Sequence, residues 1–225
     1  MTQITNNSEL HKLMRAWRRD LHAHPETAYE EHRTAAIVAD LLTSFGLQVT
    51  TGMAVTGVVG TLQGKHAGTK SIALRADMDA LNLQELNEFA HRSKHAGKMH
   101  GCGHDGHTTM LLGAAKYLAE NRDFSGTVVF IFQPAEEGEA VAKVMCDEGL
   151  FAKFDVDAVY GMHNWPGLDE GKFAVHKKAV MASMDIFDIT LYGQGCHAGM
   201  PHLGIDPIIA STQLVSALQT LISRE

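Results

Sequence analysis

Apolar residues near the start of the chain recur at helical spacing. Leu10, Leu13, Trp17 and Leu21 predict one amphipathic helix, with Ser8 placed to cap it and His24-Pro25 to end it. A second helix is expected from about Glu30 to Phe45, stopped by Gly46. The pattern then shortens to β-type runs at Gln48–Thr51, Val58–Leu62 and Ser71–Arg75. A polar, histidine-rich stretch (Glu85–Lys98) precedes a helix with the apolar stripe Leu111, Ala114, Ala115, Leu118, which Asp105 is placed to cap. Thr127–Phe132 is a continuous apolar run with β-branched residues, as in a strand covered on both faces. Another helix should reach about Glu148-Gly149, and Val156–Met162 reads as a further buried strand. Strands alternating with helices make this an α/β domain, with a largely parallel central sheet flanked by helices.

From about Ala182 the pattern changes. Asp185–Leu191 alternates like a strand with one solvated face, Gly193–Gly204 is a loop, and Asp206-Pro207 opens an apolar helix still running at Glu225. One strand and one helix cannot close a core. The expected organisation is therefore a domain over 1–181 and the beginning of a second over 182–225, cut off inside its first helix. No internal repeat is visible.

Composition narrows the partners. A net charge of −7 with no basic stripe argues against nucleic acid. No run approaches the roughly 18–20 apolar residues of a membrane span, and the first twenty residues hold no apolar leader segment. Three widely spaced cysteines without a CxxC pair disfavour a disulfide framework and fit a reducing compartment, so a cytoplasmic protein is expected. Fourteen histidines raise the expectation of a metal site.

The densest chemistry lies in Met99–Thr108, where a thiol, three imidazoles and a carboxylate are threaded with glycine. Such sulfur and nitrogen donors suit zinc, nickel, cobalt or manganese-type centres. Cys102 and His104, at i and i+2, would project to the same side of an extended segment. The alternative is a small buried cysteine beside a packing histidine, and His100 and His107 are weaker candidates. Glu136-Glu137 could be an acidic pair opening a helix. Directly after a strand, however, one carboxylate could bind metal while the other faces the attacking water, which is what hydrolysis requires. His163 ends a strand beside Asn164-Trp165-Pro166 and could equally be a satisfied histidine. Asp77 and Asp79 could orient ligand imidazoles or cap the next turn. Asp77/Asp79, Glu136/Glu137 and His163 each follow a strand C-terminus, the edge where open α/β sheets bind ligands, and Cys102 and His104 lie at a loop-to-helix junction. Cys196, His197 and His202 read, on composition alone, as loop residues. GxSxG, P-loop, HExxH and correctly spaced GxGxxG signatures are absent.

Seven segments in order carry a resemblance. They are Arg19–Glu26, Thr56–Val58, Arg75–Leu81, Met99–Thr108, Phe132–Gly138, Gly161–Gly167 and Gly193–His202. Together they resemble the M20 metallopeptidase/amidohydrolase family, in the branch of hippurate hydrolases, N-acyl-amino-acid amidohydrolases and indole-acetyl-amino-acid hydrolases. The resemblance implies a zinc-exopeptidase-like catalytic domain with an inserted α+β lid that also forms a homodimer. It implies two divalent ions (Mn, Zn, Ni or Co), with Cys102, His104, Glu137 and His163 as ligands. Glu136 would be the general base, and His197 would steady the oxyanion of a small N-acyl amino acid substrate. One departure is Cys196, where the family usually has glycine before His197. The family also continues beyond the present length and supplies another metal-binding histidine there. The expectation is thus an amidohydrolase with weak or absent activity unless another chain supplies the missing half. Its alternative is a non-catalytic metal-binding or dimerising remnant.

Overall fold

A computed structural model describes residues 8–137, 141–181 and 186–221. The chain divides into two units, Met1–Leu168 and Asp169–Glu225. The first contains α1 (Glu9–Ala23), α2 (His32–Ser44), β1 (Gln48–Met53), β2 (Gly57–Gln63), β3 (His66–Asp77), α3 (His104–Glu120), β4 (Ser125–Gln133), α4 (Ala142–Asp147), α5 (Leu150–Phe154) and β5 (Ala158–Gly161).

Helix α1 starts as its cap predicts: the Ser8 side chain accepts a hydrogen bond from the His11 N–H at 3.1 Å. The sheet order is β1-β2-β4-β3-β5, so the apolar run of β4 lies at its centre. Along that strand Val128, Phe130 and Phe132 pack with Val38, Leu42, Leu111 and Leu112 of α2 and α3. Val129 and Ile131 point the other way, towards Met145 and Leu150 of α4 and α5. Alternating side chains thus bury both faces, as the unbroken apolar pattern requires.

The α/β class and the flanking helices stand, but the sheet is mixed. β4 and β5 run parallel to β3, whereas β1–β2 and β2–β4 are antiparallel. Residues 54–56 leave room only for a hairpin between β1 and β2, and a hairpin reverses direction. Strand β5 also departs from expectation. It is an edge strand, with Val159 45% and Tyr160 57% exposed. An apolar run reads alike whether or not another layer covers it.

The second unit contains a short 3₁₀ turn at Pro201–Leu203 and α6 (Pro207–Leu218), where the Asp206 carboxylate accepts from the Ile208 N–H at 2.9 Å. Asp185 lies outside the described residues. Ile186–Leu191 form no strand, and among the described residues of this unit pairing is limited to a bridge between Gln194 and Ile205. Alternation yields a strand only beside a partner edge. No helix among the described residues is long and apolar enough to cross a membrane.

Candidate metal centre

The parallel strands β3, β4 and β5 all end at one edge of the sheet, and each delivers polar residues just beyond its last pairing. β3 ends in Asp77 and leads to Asp79, β4 leads through Pro134 and Ala135 to Glu136-Glu137, and β5 leads to His163. The fourth contributor is the glycine-rich loop entering α3.

That entry differs from the expected extended segment. Gly103 lies in the left-handed region at φ +93° and forms the N-terminal boundary of α3, so His104 is already the first helical residue. A non-glycine residue is strained at this φ. Asp105 therefore does not cap the helix. It is buried in the first turn and receives His22 Nδ1 at 2.9 Å and Arg18 Nε at 3.3 Å, linking α1 to α3.

His104 is fully buried. Its Nδ1 bonds Asp79 Oδ1 at 3.1 Å, so in the neutral ring the proton sits on Nδ1 and the Nε2 lone pair is free. Among the described residues Nε2 has no hydrogen-bond partner, although Glu137 and Asp77 oxygens lie at 3.8 Å and a Glu136 oxygen at 3.9 Å. Cys102 Sγ is 3.4 Å from His163 Nε2. Donor atoms of Cys102, His104 and His163 lie within 4.8 Å of one another, as do those of His104, Glu136 and Glu137. Four chain segments thus meet around one buried, unpartnered nitrogen.

The two glutamates each bring a carboxylate oxygen within 3.9 Å of His104 Nε2. Ala135 has φ +47°, which breaks the extended path, and Glu137 lies in a turn whose N–H is bonded by Asp79 Oδ2 at 2.9 Å. Asp79 therefore holds His104 with one oxygen and the Glu137 backbone with the other. Glu31 was not anticipated. It is fully buried, accepting from the Ala135 N–H at 2.8 Å and the Thr56 hydroxyl at 2.7 Å. Its signal in sequence is weak, because a glutamate at a helix start normally reads as a solvated residue.

The electrostatics describe a site short of positive charge. Burial and the nearby Glu137, Glu136 and Asp77 carboxylates push the Cys102 thiol up to about 12. Burial, with Glu137 and Asp77, also raises Glu136 against the pull of His104. Burial opposes protonation of His104, yet its bond to Asp79 and the surrounding carboxylates raise its pKa. Asp77 is held at about 2: burial would raise it, but His107, His104 and Arg75 more than offset that. A bound cation would reverse the penalty on the thiolate and carboxylates together.

His107 stands beside this group. Its Nδ1 bonds Asp77 at 2.6 Å and its Nε2 accepts the Asn164 N–H at 3.1 Å. His100 is buried with neither ring nitrogen paired among the described residues, and burial pushes it down to about 4. His197, in the second unit, is exposed, with Nδ1 accepting the Gly199 N–H at 3.0 Å. Cys196 and His202 of that unit are exposed too.

Residues 73–224 match the family described as Peptidase family M20/M25/M40, well over half of the chain. The chain belongs to peptidase family M20. It is 48% identical to hippurate hydrolase of Campylobacter jejuni, over 92% of this chain and 54% of that protein. It is 44% identical to N-acyl-L-amino acid amidohydrolase of Geobacillus stearothermophilus, over 93% and 56% respectively. A solved Bacillus subtilis structure, described as a dinuclear metal binding peptidase of the M20 family, superposes with a TM-score of 0.68 at 39% identity. That match covers 72% of this chain and 45% of the other. The chain spans about half the length of the curated relatives it matches.

One pH effect arises from the foundation of this M20 centre. His22 faces Asp105 through Nδ1 and Glu85 through Nε2 (3.2 Å), and the Asp105 bond, against burial, raises its pKa above 6.5. A raised histidine stabilises the fold fully below about pH 6.5, and the contribution is lost as pH rises through the folded value. Urea unfolding should show stability declining above that pH, with a flatter profile for His22→Gln. Parallel profiles would mean that His22 is not charged in the folded protein.

Proposed function

We propose that this chain carries the reaction centre of a metal-dependent amidohydrolase acting on small N-acyl amino acids of the hippurate type. The observation that carries the reading is the unpartnered, buried His104 Nε2, ringed by Cys102, Glu136, Glu137 and His163. The hydrolase relatives support the reaction class.

The residues present suit divalent ions. A thiol, two imidazoles and carboxylates form a mixed donor set of the kind zinc, cobalt, nickel and manganese accept, and their crowding is unfavourable without a cation. Cys102, His104, Glu137 and His163 would hold two such ions, which supply Lewis-acid polarisation of the amide carbonyl and water of lowered pKa. The protein's own groups do the rest. Asp79 fixes the His104 ring so that Nε2 faces the cluster. Glu136 takes a proton from the attacking water and returns it to the leaving amine nitrogen. His197, whose Nδ1 is already an acceptor, keeps an Nε2–H to donate to the developing oxyanion. Pairing of two copies through a lid domain over 182–225, with 1–181 as the catalytic domain, belongs to the same proposal. So does a cytoplasmic location, supported by three unpaired cysteines.

Metal-free 225-residue chain should be titrated with Mn²⁺, Zn²⁺, Ni²⁺ or Co²⁺ and assayed with hippurate and N-acetyl amino acids. The expected result is two ions per chain and, from this chain alone, at most weak hydrolysis that disappears on chelation. One ion or none, without hydrolysis, would overturn the reading.

A further inference from the structure

Asn164 follows His163 and makes four contacts that converge on the centre. Its N–H donates to His107 Nε2 at 3.1 Å. Its carbonyl receives His163 Nδ1 at 2.6 Å. Its side-chain amide donates to the Cys102 carbonyl at 3.2 Å. The fourth is steric: a Cβ on Gly103 would lie 2.6 Å from Asn164 Oδ1, so the amide lies where only glycine leaves room.

These contacts have a joint consequence. The His163 imidazole is tied by Nδ1 to the backbone of its own neighbour, which leaves Nε2 free and turned towards Cys102 Sγ, 3.4 Å away. That backbone is in turn anchored through His107 to Asp77 at the end of β3. The side-chain amide then ties the Cys102 loop to the same residue. Cys102 and His163 lie 61 positions apart, on a loop and beyond an edge strand. In the described residues their two segments are joined by hydrogen bonds through Asn164.

We propose that Asn164 is the positioning residue that sets the Cys102–His163 pair as joint metal ligands. Its backbone orients the imidazole, and its side-chain amide holds the cysteine loop at matching distance. The inference rests on the metal reading above. Asparagine is suited to this role because the amide N–H₂ donates to a carbonyl, whereas the isosteric aspartate offers only acceptors when ionised. Partners that orient metal ligands typically contribute about 10–100-fold in affinity. Asn164 is itself exposed, so its side chain adds little to the core.

The test is Co²⁺ titration of the full chain, read by the thiolate-to-cobalt charge-transfer band in the near ultraviolet, for wild type, Asn164→Ala and Asn164→Asp. Thermal melts of the metal-free proteins run alongside. Wild type should show the band, and both variants should bind Co²⁺ about 10–100-fold more weakly, with a diminished band and unchanged metal-free melting. Wild-type affinity and band in either variant would overturn the positioning role. Equal loss of metal-free stability in both variants would also overturn it, by making the residue merely structural. No thiolate band in the wild type would overturn the metal reading as well, which separates the two failures.

Discussion

Replacing Glu136 by glutamine should lower amide hydrolysis by about 10²–10⁴-fold while leaving divalent-ion uptake nearly unchanged. Glutamine keeps the size and hydrogen-bonding reach of glutamate but cannot accept a proton from water. The geometry makes the separation testable. Glu136 and Glu137 both approach His104 Nε2, but they sit differently. Glu137 has its backbone fastened to Asp79 and its side chain 29% exposed, whereas the Glu136 side chain is 44% exposed and freer to meet a substrate and water. Steady-state hydrolysis of hippurate and equilibrium metal titration should be measured on the same preparation. Turnover within tenfold of wild type would remove Glu136 from the role of base. Loss of metal uptake together with turnover would make it a ligand instead.

His104→Ala should abolish metal uptake at this centre and destabilise the metal-free chain by about 3–5 kcal/mol, the usual consequence of stripping one partner from a buried ionic pair. The imidazole is fully buried, bonded to Asp79 on one side and within 3.8 Å of Asp77 on the other. Without it, Asp79 keeps its bond from the Glu137 N–H but loses its bond to the imidazole. The two aspartates are then buried carboxylates with less to balance them. Urea unfolding with and without Co²⁺ reads both effects. The wild type should be stabilised by the ion, since a ligand that binds only the folded state adds to its stability, and the variant should not. A variant as stable as wild type, or still stabilised by Co²⁺, would refute this account of His104.

The elements most legible in the chain were those whose signal is local. Ser8 caps α1, Asp206 caps α6, and the apolar period of β4 announces burial on both faces, because each depends on residues a few positions apart. Local position makes Cys102, His104, Glu136, Glu137 and His163 candidates, since each follows a strand end or adjoins a helix start, while the choice of Cys102, His104, Glu137 and His163 as ligands rests on the resemblance. Local rules misled where the backbone leaves the regular regions. Cys102 and His104 do reach one cluster, but through Gly103 at φ +93°, which turns the chain into α3, and not along an extended segment. After β4, Ala135 at φ +47° likewise turns the chain out of the extended path before Glu136 and Glu137. Asp105 looked like a cap because caps are local, while its partners, His22 and Arg18, lie 83 and 87 residues away.

By itself, then, the sequence determined which residues are candidates for ligation, that they sit at the ends of strands and the start of a helix, and that the motifs resemble M20. Residue chemistry and short-range periodicity suffice for the first two; the third rests on the resemblance carried by seven ordered segments. Only the tertiary structure decided that the sheet is mixed and that β5 is an exposed edge. The same holds for Asp79 holding both His104 and Glu137, and for Asn164 joining the Cys102 and His163 segments. Those outcomes depend on strand order and on hydrogen bonds between residues tens of positions apart, and no pattern along a single stretch of chain encodes such a pairing.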